Sequence, residues 1–369
     1  MKFKIVKSVL VNKVAVMCFA LALPFLATAQ SRSQDPVPPL PYSELDVTYR
    51  NFSVKGVTLA GSLCIPQGKG PFPAVVLISG SGQQNRDEEL FGHRPFRVIA
   101  DYLARIGIAS LRYDDRGFAK SIGSLNKITT LDFASDVEAG VSFLKSRSEI
   151  DGRKIGLVGH SEGGIIAPIV ASRQANGIAF VVMLAGTAFP GDEILLAQTE
   201  AIMKSTGSAF SSNQKNHLDL LRSLLPIIKA ANMTEGSDEL ARRLIPVAKP
   251  FLKFQTNGQI EVETRKLTSH WMRFFLRYDP CESLAAVRVP ILALNGSKDV
   301  QVLSNPNILK MKNLAGAKHL ELTAVEMPNL NHFFQTCKTG SLEEYAKIEE
   351  TFSPEALKIL RDWILQKIQ

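Results

Sequence analysis

The sequence predicts an α/β fold: a mostly parallel central sheet flanked by helices and interrupted by one helical insertion. Two observations carry this. From residue 74 to 184, short apolar runs alternate with helix-length stretches, which calls for right-handed crossovers between parallel strands. The rhythm stops at Gly186 and resumes at Val289, so the intervening stretch interrupts one sheet instead of starting a second domain. A chain of 369 residues with 45% hydrophobic content has ample material for the core this requires.

Taken in order, the first 29 residues differ from the rest. Lys2, Lys4, Lys7 and Lys13 precede an almost wholly apolar run from Val14 to Phe25, and Ala27-Thr28-Ala29 supplies small residues ahead of Gln30. This is the pattern of a secretory signal peptide over 1–29, which makes the expected location periplasmic or secreted, with no stable membrane span after processing. Residues 30–42, with prolines at 36, 38, 39 and 41, read as an extended leader. Leu45–Phe52 and Val57–Ile65 then form a hairpin about Gly56, and Ala74–Ile78 is a strand buried on both faces. Arg97–Ile106 reads as a helix, Ala109–Tyr113 as a strand and Leu131–Leu144 as a helix, with Phe133, Val137, Val141 and Leu144 on one face. Lys154–Val158 is a strand, Gly164–Ser172 a helix and Ile178–Leu184 a strand. Within 187–285 the helical stretches are Glu193–Met203, Leu218–Ala230, Asp238–Val247 and Ser269–Leu276. Val289–Leu294, a helix around Asn307–Leu314, Leu320–Val325 and the amphipathic Glu355–Ile368 close the chain. The expected organisation is a core of 43–186 and 286–369 with a helical cap over 187–285.

The formal net charge of +8 includes the four lysines of the leading segment, so the remainder carries about +4. No basic cluster with interleaved aromatics is present, which argues against a nucleic-acid partner. Cys64, Cys281 and Cys337 follow the leading segment; an oxidising compartment permits one disulfide among them, but the count does not call for it.

The chemistry centres on Gly159-His160-Ser161-Glu162-Gly163, which lies between a strand and a helix. Strand, G-x-S-x-G and helix describe a nucleophile elbow, whose glycines avoid crowding a neighbouring strand or helix. A serine needs a base and the base an orienting carboxylate, both on loops at the carboxyl ends of later strands. Asp299 follows the strand ending at Leu294, and His332 follows the strand ending at Val325. The order Ser161, Asp299, His332 is the one this architecture expects. His160 reads as packing, and His93, His217, His270 and His319 are placed worse; Glu321, Glu326 and Asp279 are the rival acids. Two amides must face the oxyanion. Glu162 supplies one, and Ser81 or Gly82, in the turn Ser79-Gly80-Ser81-Gly82, supplies the other. That turn lacks the spacing of a phosphate loop. Arg86 and Asp87, and Asp114-Asp115-Arg116-Gly117, lie at the same end of the sheet. Arg116 is expected to pair with Asp87 or Asp115 as a structural tie, with an anionic-substrate clamp at Arg86 or Arg116 as the alternative. Trp271, Phe274 and Tyr278 form an aromatic stripe, read as packing between cap and core or else as a substrate wall.

These stretches, with Asn295–Asp299, Asn331–Gln335 and the tail Ile348–Thr351, resemble the α/β-hydrolase superfamily. The closer likeness is to its secreted or periplasmic esterase-like branch, related to serine aminopeptidases and the prolyl oligopeptidase catalytic domain. The resemblance covers nearly all of the chain beyond residue 74. It implies hydrolysis of short-chain carboxylic esters, small-molecule substrates, through an acyl-serine intermediate without metal or organic cofactor. Ala119 stands where relatives often carry glycine, which stiffens that loop. A peptidase of short peptides and an acyl thioesterase use the same triad, and a non-catalytic binding protein of this fold would have a broken one.

Overall fold

The computed structural model describes residues 32–173, 177–205 and 211–369; the segment read as a signal peptide lies outside them. Eight strands form one sheet in the order β1-β2-β4-β3-β5-β6-β7-β8. β1 (Tyr42–Arg50) and β2 (Thr58–Pro66) are the antiparallel hairpin, with Gly56 at φ +81° in the connection. β2 runs antiparallel to β4 (Ala109–Tyr113). From there β4, β3 (Phe72–Ile78), β5 (Ile150–His160), β6 (Phe180–Leu184), β7 (Ile291–Gly296) and β8 (Leu322–Met327) are all parallel neighbours.

Two apolar layers sandwich the sheet because each central strand is apolar on both faces. On one side α2 (Thr130–Lys145) and α3 (Gly163–Ser172) pack with Val76, Leu111 and Leu157. On the other, α1 (Pro95–Ala104) and α12 (Pro354–Lys367) meet Val75, Leu77 and Val158. Val137, Val141 and Leu144 of α2 are buried as the spacing requires, and Asp132 accepts the Thr129 amide to start the helix. α10 (Ser304–Lys318) links β7 to β8.

Between β6 and β7 the described residues form helices and no strand: α4 (Gly191–Ser205), α5 (Ser212–Ala230), α6 (Ser237–Ala248), α7 (Asn257–Arg265), α8 (His270–Arg277) and α9 (Pro280–Ala286). α7 and α9, with the one-turn α11 (Leu342–Tyr345), carry too few apolar residues to show a helical period in the sequence. Among the described residues no helix is long and apolar enough to cross a membrane.

Residues 32–35 are not a free leader. Arg32 is buried and donates to the carbonyls of Gly92, Ala346 and Ile348, while Gln34 brackets the backbone of Thr351 and Phe352. Cys64, Cys281 and Cys337 are all free. Burial pushes the Cys281 and Cys337 thiols up to about 11, so they stay protonated at neutral pH.

Candidate active site

The parallel register brings four loop starts to one edge. Ile78 pairs with Gly159, His160 with Leu184, and Gly296 with Met327, so the turns that leave β3, β5, β7 and β8 emerge together. Ser161 leaves β5 at φ +53°, a left-handed angle rare for a residue with a side chain. Its amide is tied to the Leu184 carbonyl at 2.8 Å. A Cβ on Gly159 would fall 1.9 Å from the Gly163 carbonyl oxygen, and one on Gly163 would fall 2.1 Å from that of Ile78. Only glycine permits that approach, so the tight turn is written into the residue types.

Asp299 and His332 meet on the loops after β7 and β8. His332 Nδ1 donates to Asp299 Oδ2 at 2.7 Å, and the other carboxylate oxygen accepts the amides of Gln301 and Val302 at 2.7 and 2.8 Å. Both side chains are buried. The base loop holds itself: Asn331 Oδ1 accepts the Phe333 and Gln335 amides. Among the described residues no hydrogen bond joins the Ser161 hydroxyl to the His332 ring. Such contacts are often loose before substrate is bound.

The turn after β3 lies against Ser161. A Cβ on Gly80 would stand 3.1 Å from that of Ser161. The Gly80 amide is already taken by Glu88, whereas those of Ser81, Gly82 and Glu162 make no hydrogen bond among the described residues. The three amides expected to serve an oxyanion are therefore the unengaged ones. Gly82 takes φ +96°.

The charged residues around the site pair differently from the expectation. Arg116 reaches neither Asp87 nor Asp115. It binds both carboxylate oxygens of Asp136 on α2, at 2.6 and 2.8 Å, and the Asp132 carbonyl. Asp87 and Glu44 are held by Arg112, and Asp115 accepts the Ser79 hydroxyl and the Gln84 amide. Arg86 binds Asp114, Asp46 and Ser62. It lines a cleft of about 350 Å³ with Arg97, Arg112 and Lys120, but Glu44, Asp46, Asp87 and Asp114 balance the charge. Neither arginine is an unpaired anion clamp. The tie is structural for Arg86, Asp87, Asp115 and Arg116 alike, with other partners. Ala119, on the same cleft, sits at φ +47°, which explains why glycine suits that position.

Four contacts were not foreseen from the sequence. His160 is not merely packed: Nε2 donates to the His332 carbonyl at 2.9 Å and Nδ1 contacts Glu88 at 2.8 Å. Burial pulls the imidazolium down, yet the Glu88 charge and hydrogen bond outweigh it and the shift is upward. The Glu162 side chain, also buried, accepts Thr130 Oγ1 and Trp271 Nε1 at 2.8 and 2.7 Å; burial raises its carboxyl. Trp271 thereby fastens cap helix α8 to the residue after Ser161. The aromatic stripe divides into two stacks, Trp271 on Phe275 and Phe274 on Tyr278. The only sequence signal for these contacts is an acid or histidine beside an apolar run, which does not name its partner.

Comparison with known proteins follows the same geometry. Residues 55–326 match the family described as X-Pro dipeptidyl-peptidase (S15 family). Esterase EstD of Thermotoga maritima is 29% identical over 299 residues, 81% of this chain and 61% of the relative. The mitochondrial acyl-coenzyme A thioesterase 2 of Mus musculus is 28% identical over 145 residues, 39% of this chain and 29% of the relative. The chain thus spans less than two thirds of the length of either. An esterase of Pyrococcus furiosus shares the fold at 16% identity, with a TM-score of 0.53 over 88% of this chain and 91% of that one. So does the α/β hydrolase GrgF of Penicillium sp. sh18, at 17% identity, with a TM-score of 0.51 over 89% and 98%. With the family match covering most of the chain, the protein belongs to the X-Pro dipeptidyl-peptidase (S15) family, an α/β hydrolase of the serine-hydrolase class.

Proposed function

We propose that the protein hydrolyses small carboxylic esters, with short acyl chains, through an acyl-serine intermediate on Ser161. The observation that carries this is the convergence at one sheet edge of a strained serine and a buried His332–Asp299 pair. The Ser161 hydroxyl attacks the ester carbon while His332 Nε2 takes its proton, and Asp299 holds the imidazole and faces the imidazolium. The oxyanion falls to the Glu162 amide and to that of Ser81 or Gly82. His332 returns the proton to the departing alcohol, and water, activated the same way, then releases the acid. The fastening of α8 to Glu162 by Trp271 brings the cap close over the elbow, which supports a short acyl group. The esterases among the similar proteins support an ester substrate. The leading segment supports export to the periplasm or beyond, and the mixed surface charge supports no nucleic-acid partner.

The family description favours a second reading, cleavage of short peptides by the same groups. Matched p-nitrophenyl esters and aminoacyl or X-Pro p-nitroanilides separate the two, with an acyl-coenzyme A arm for thioester cleavage. Ester hydrolysis falling with acyl length is expected. Preferential anilide cleavage would move the protein to the peptidases. Ser161→Ala is expected to abolish turnover and covalent labelling by a fluorophosphonate while the protein stays folded; undiminished labelling would sink the nucleophile assignment.

A further inference from the structure

Glu88 belongs to none of the motifs that mark the site. It lies in the loop between β3 and α1, at φ +50° and 2% exposed, with its carboxylate turned inward. One oxygen, Oε1, accepts the Gly80 amide at 2.7 Å and contacts His160 Nδ1 at 2.8 Å. Gly80 stands against Ser161 in the turn that presents the Ser81 and Gly82 amides. His160 immediately precedes Ser161, and its far nitrogen reaches the backbone carbonyl of the base, His332. A carbonyl can only accept, so Nε2 carries a proton. The ring then meets a carboxylate through Nδ1, and a doubly protonated imidazole donates in both directions. A single buried oxygen thus ties together the oxyanion turn, the nucleophile's neighbour and the base loop, none of which is close to another in sequence.

We infer that Glu88 is a positioning residue for the hydrolysis, fixing the separation of oxyanion amides, Ser161 and His332 through its hydrogen bonds to Gly80 and His160. This rests on Ser161 being the nucleophile. Glu88 touches no reacting atom. Its effect is geometric, and a misplacement of about 1 Å in such a constellation costs about 100-fold in rate.

The test uses two substitutions with opposite consequences. Glu88→Asp keeps the charge but withdraws the carboxylate by one C–C bond, about 1.5 Å. Glu88→Gln keeps the reach, because an amide can accept from Gly80 and either accept from or donate to His160. Fluorophosphonate labelling rates of the full chain are measured beside kcat and KM on p-nitrophenyl butyrate. The Asp protein is expected to label and turn over about 100-fold more slowly with KM within about twofold of wild type. The Gln protein is expected to recover most of that rate. Any result in which Gln is not faster than Asp overturns the inference, whether both keep the wild-type rate or both lose it. Should the Asp protein not fold, His160→Ala breaks the same tie at its other end. A loss in kcat with KM unmoved is expected there, and a wild-type rate overturns the role. Ser161→Ala in the same assay keeps the two readings apart. Its labelling at the wild-type rate would remove the nucleophile and the Glu88 role together, whereas the Asp–Gln comparison can fail alone.

Discussion

Asp299 has both carboxylate oxygens committed, one to His332 Nδ1 and one to two backbone amides, so the imidazole has a single favoured tautomer and orientation. Asp299→Asn leaves the packing in place but offers an N–H where an acceptor is required. Turnover is expected to fall by roughly 10²–10⁴-fold with little change in the unfolding midpoint, read by ester kinetics beside urea denaturation. Full activity in that variant would point to another carboxylate. That Ser161, Asp299 and His332 lie at the same end of the sheet was legible because each follows a strand, and a parallel sheet delivers its strand ends together. The partners of Arg116 and His160 were not. Asp136, which takes the arginine, is a polar residue one position before Val137 on the buried face of α2, and Glu88 sits in a loop without a period. Buried polar bonds are made by tertiary approach, and the local pattern records the need for a partner without its identity.

Elements with a strong period were read to within a few residues. β4 and the start of α3 follow directly from apolar runs and glycines, and β5 extends back to Ile150 because it continues alongside β3. The short cap helices escaped because their apolar faces are one or two residues wide. One of the contacts that join cap to core rests on a side chain whose importance is invisible in composition: Trp271 donates to the buried Glu162 carboxylate and stacks on Phe275 at 5.3 Å. Trp271→Phe preserves the stack and deletes the donor. A loss of about 1–2 kcal/mol is expected from the unfulfilled carboxylate, measured by urea unfolding, together with a raised KM for the preferred ester as α8 loosens over the elbow. Unchanged stability and KM would return the residue to plain packing.

Across the whole molecule, residues 32–35 are bound to residues more than 300 positions away. Arg32 buries its guanidinium against the backbone carbonyls of Phe91, Gly92, Ala346 and Ile348, and Gln34 holds the segment that leads into α12. The same region is fixed from the site side, where His93 bridges the Tyr345 carbonyl and Thr351, and Tyr345 packs edge-on against Phe333. Phe333 follows the base directly. Arg32→Ala is expected to lower stability by about 2 kcal/mol, seen as a lower urea midpoint at unchanged slope, because buried carbonyls lose their donor. The prolines at 36, 38, 39 and 41 suggested a leader over 30–42; the anchoring of 32–35 depends on side chains far apart in the sequence and on no local periodicity.

The clasp between Gln34 and residues 351–352 also sets an order in time. The first described stretch to leave a ribosome binds the last loop before the final helix, so it must wait for nearly every other residue to appear. The pairing of β3, β4 and β5 and their contacts with α1 and α2 come from residues up to 160, so that half of the sheet can gather early, although α3 and α12 complete its two faces. His332 arrives late and the clasp closes after it. Until then the early-made half displays Ser161 without the His332–Asp299 pair, and the candidate site stays incomplete for most of the chain's synthesis.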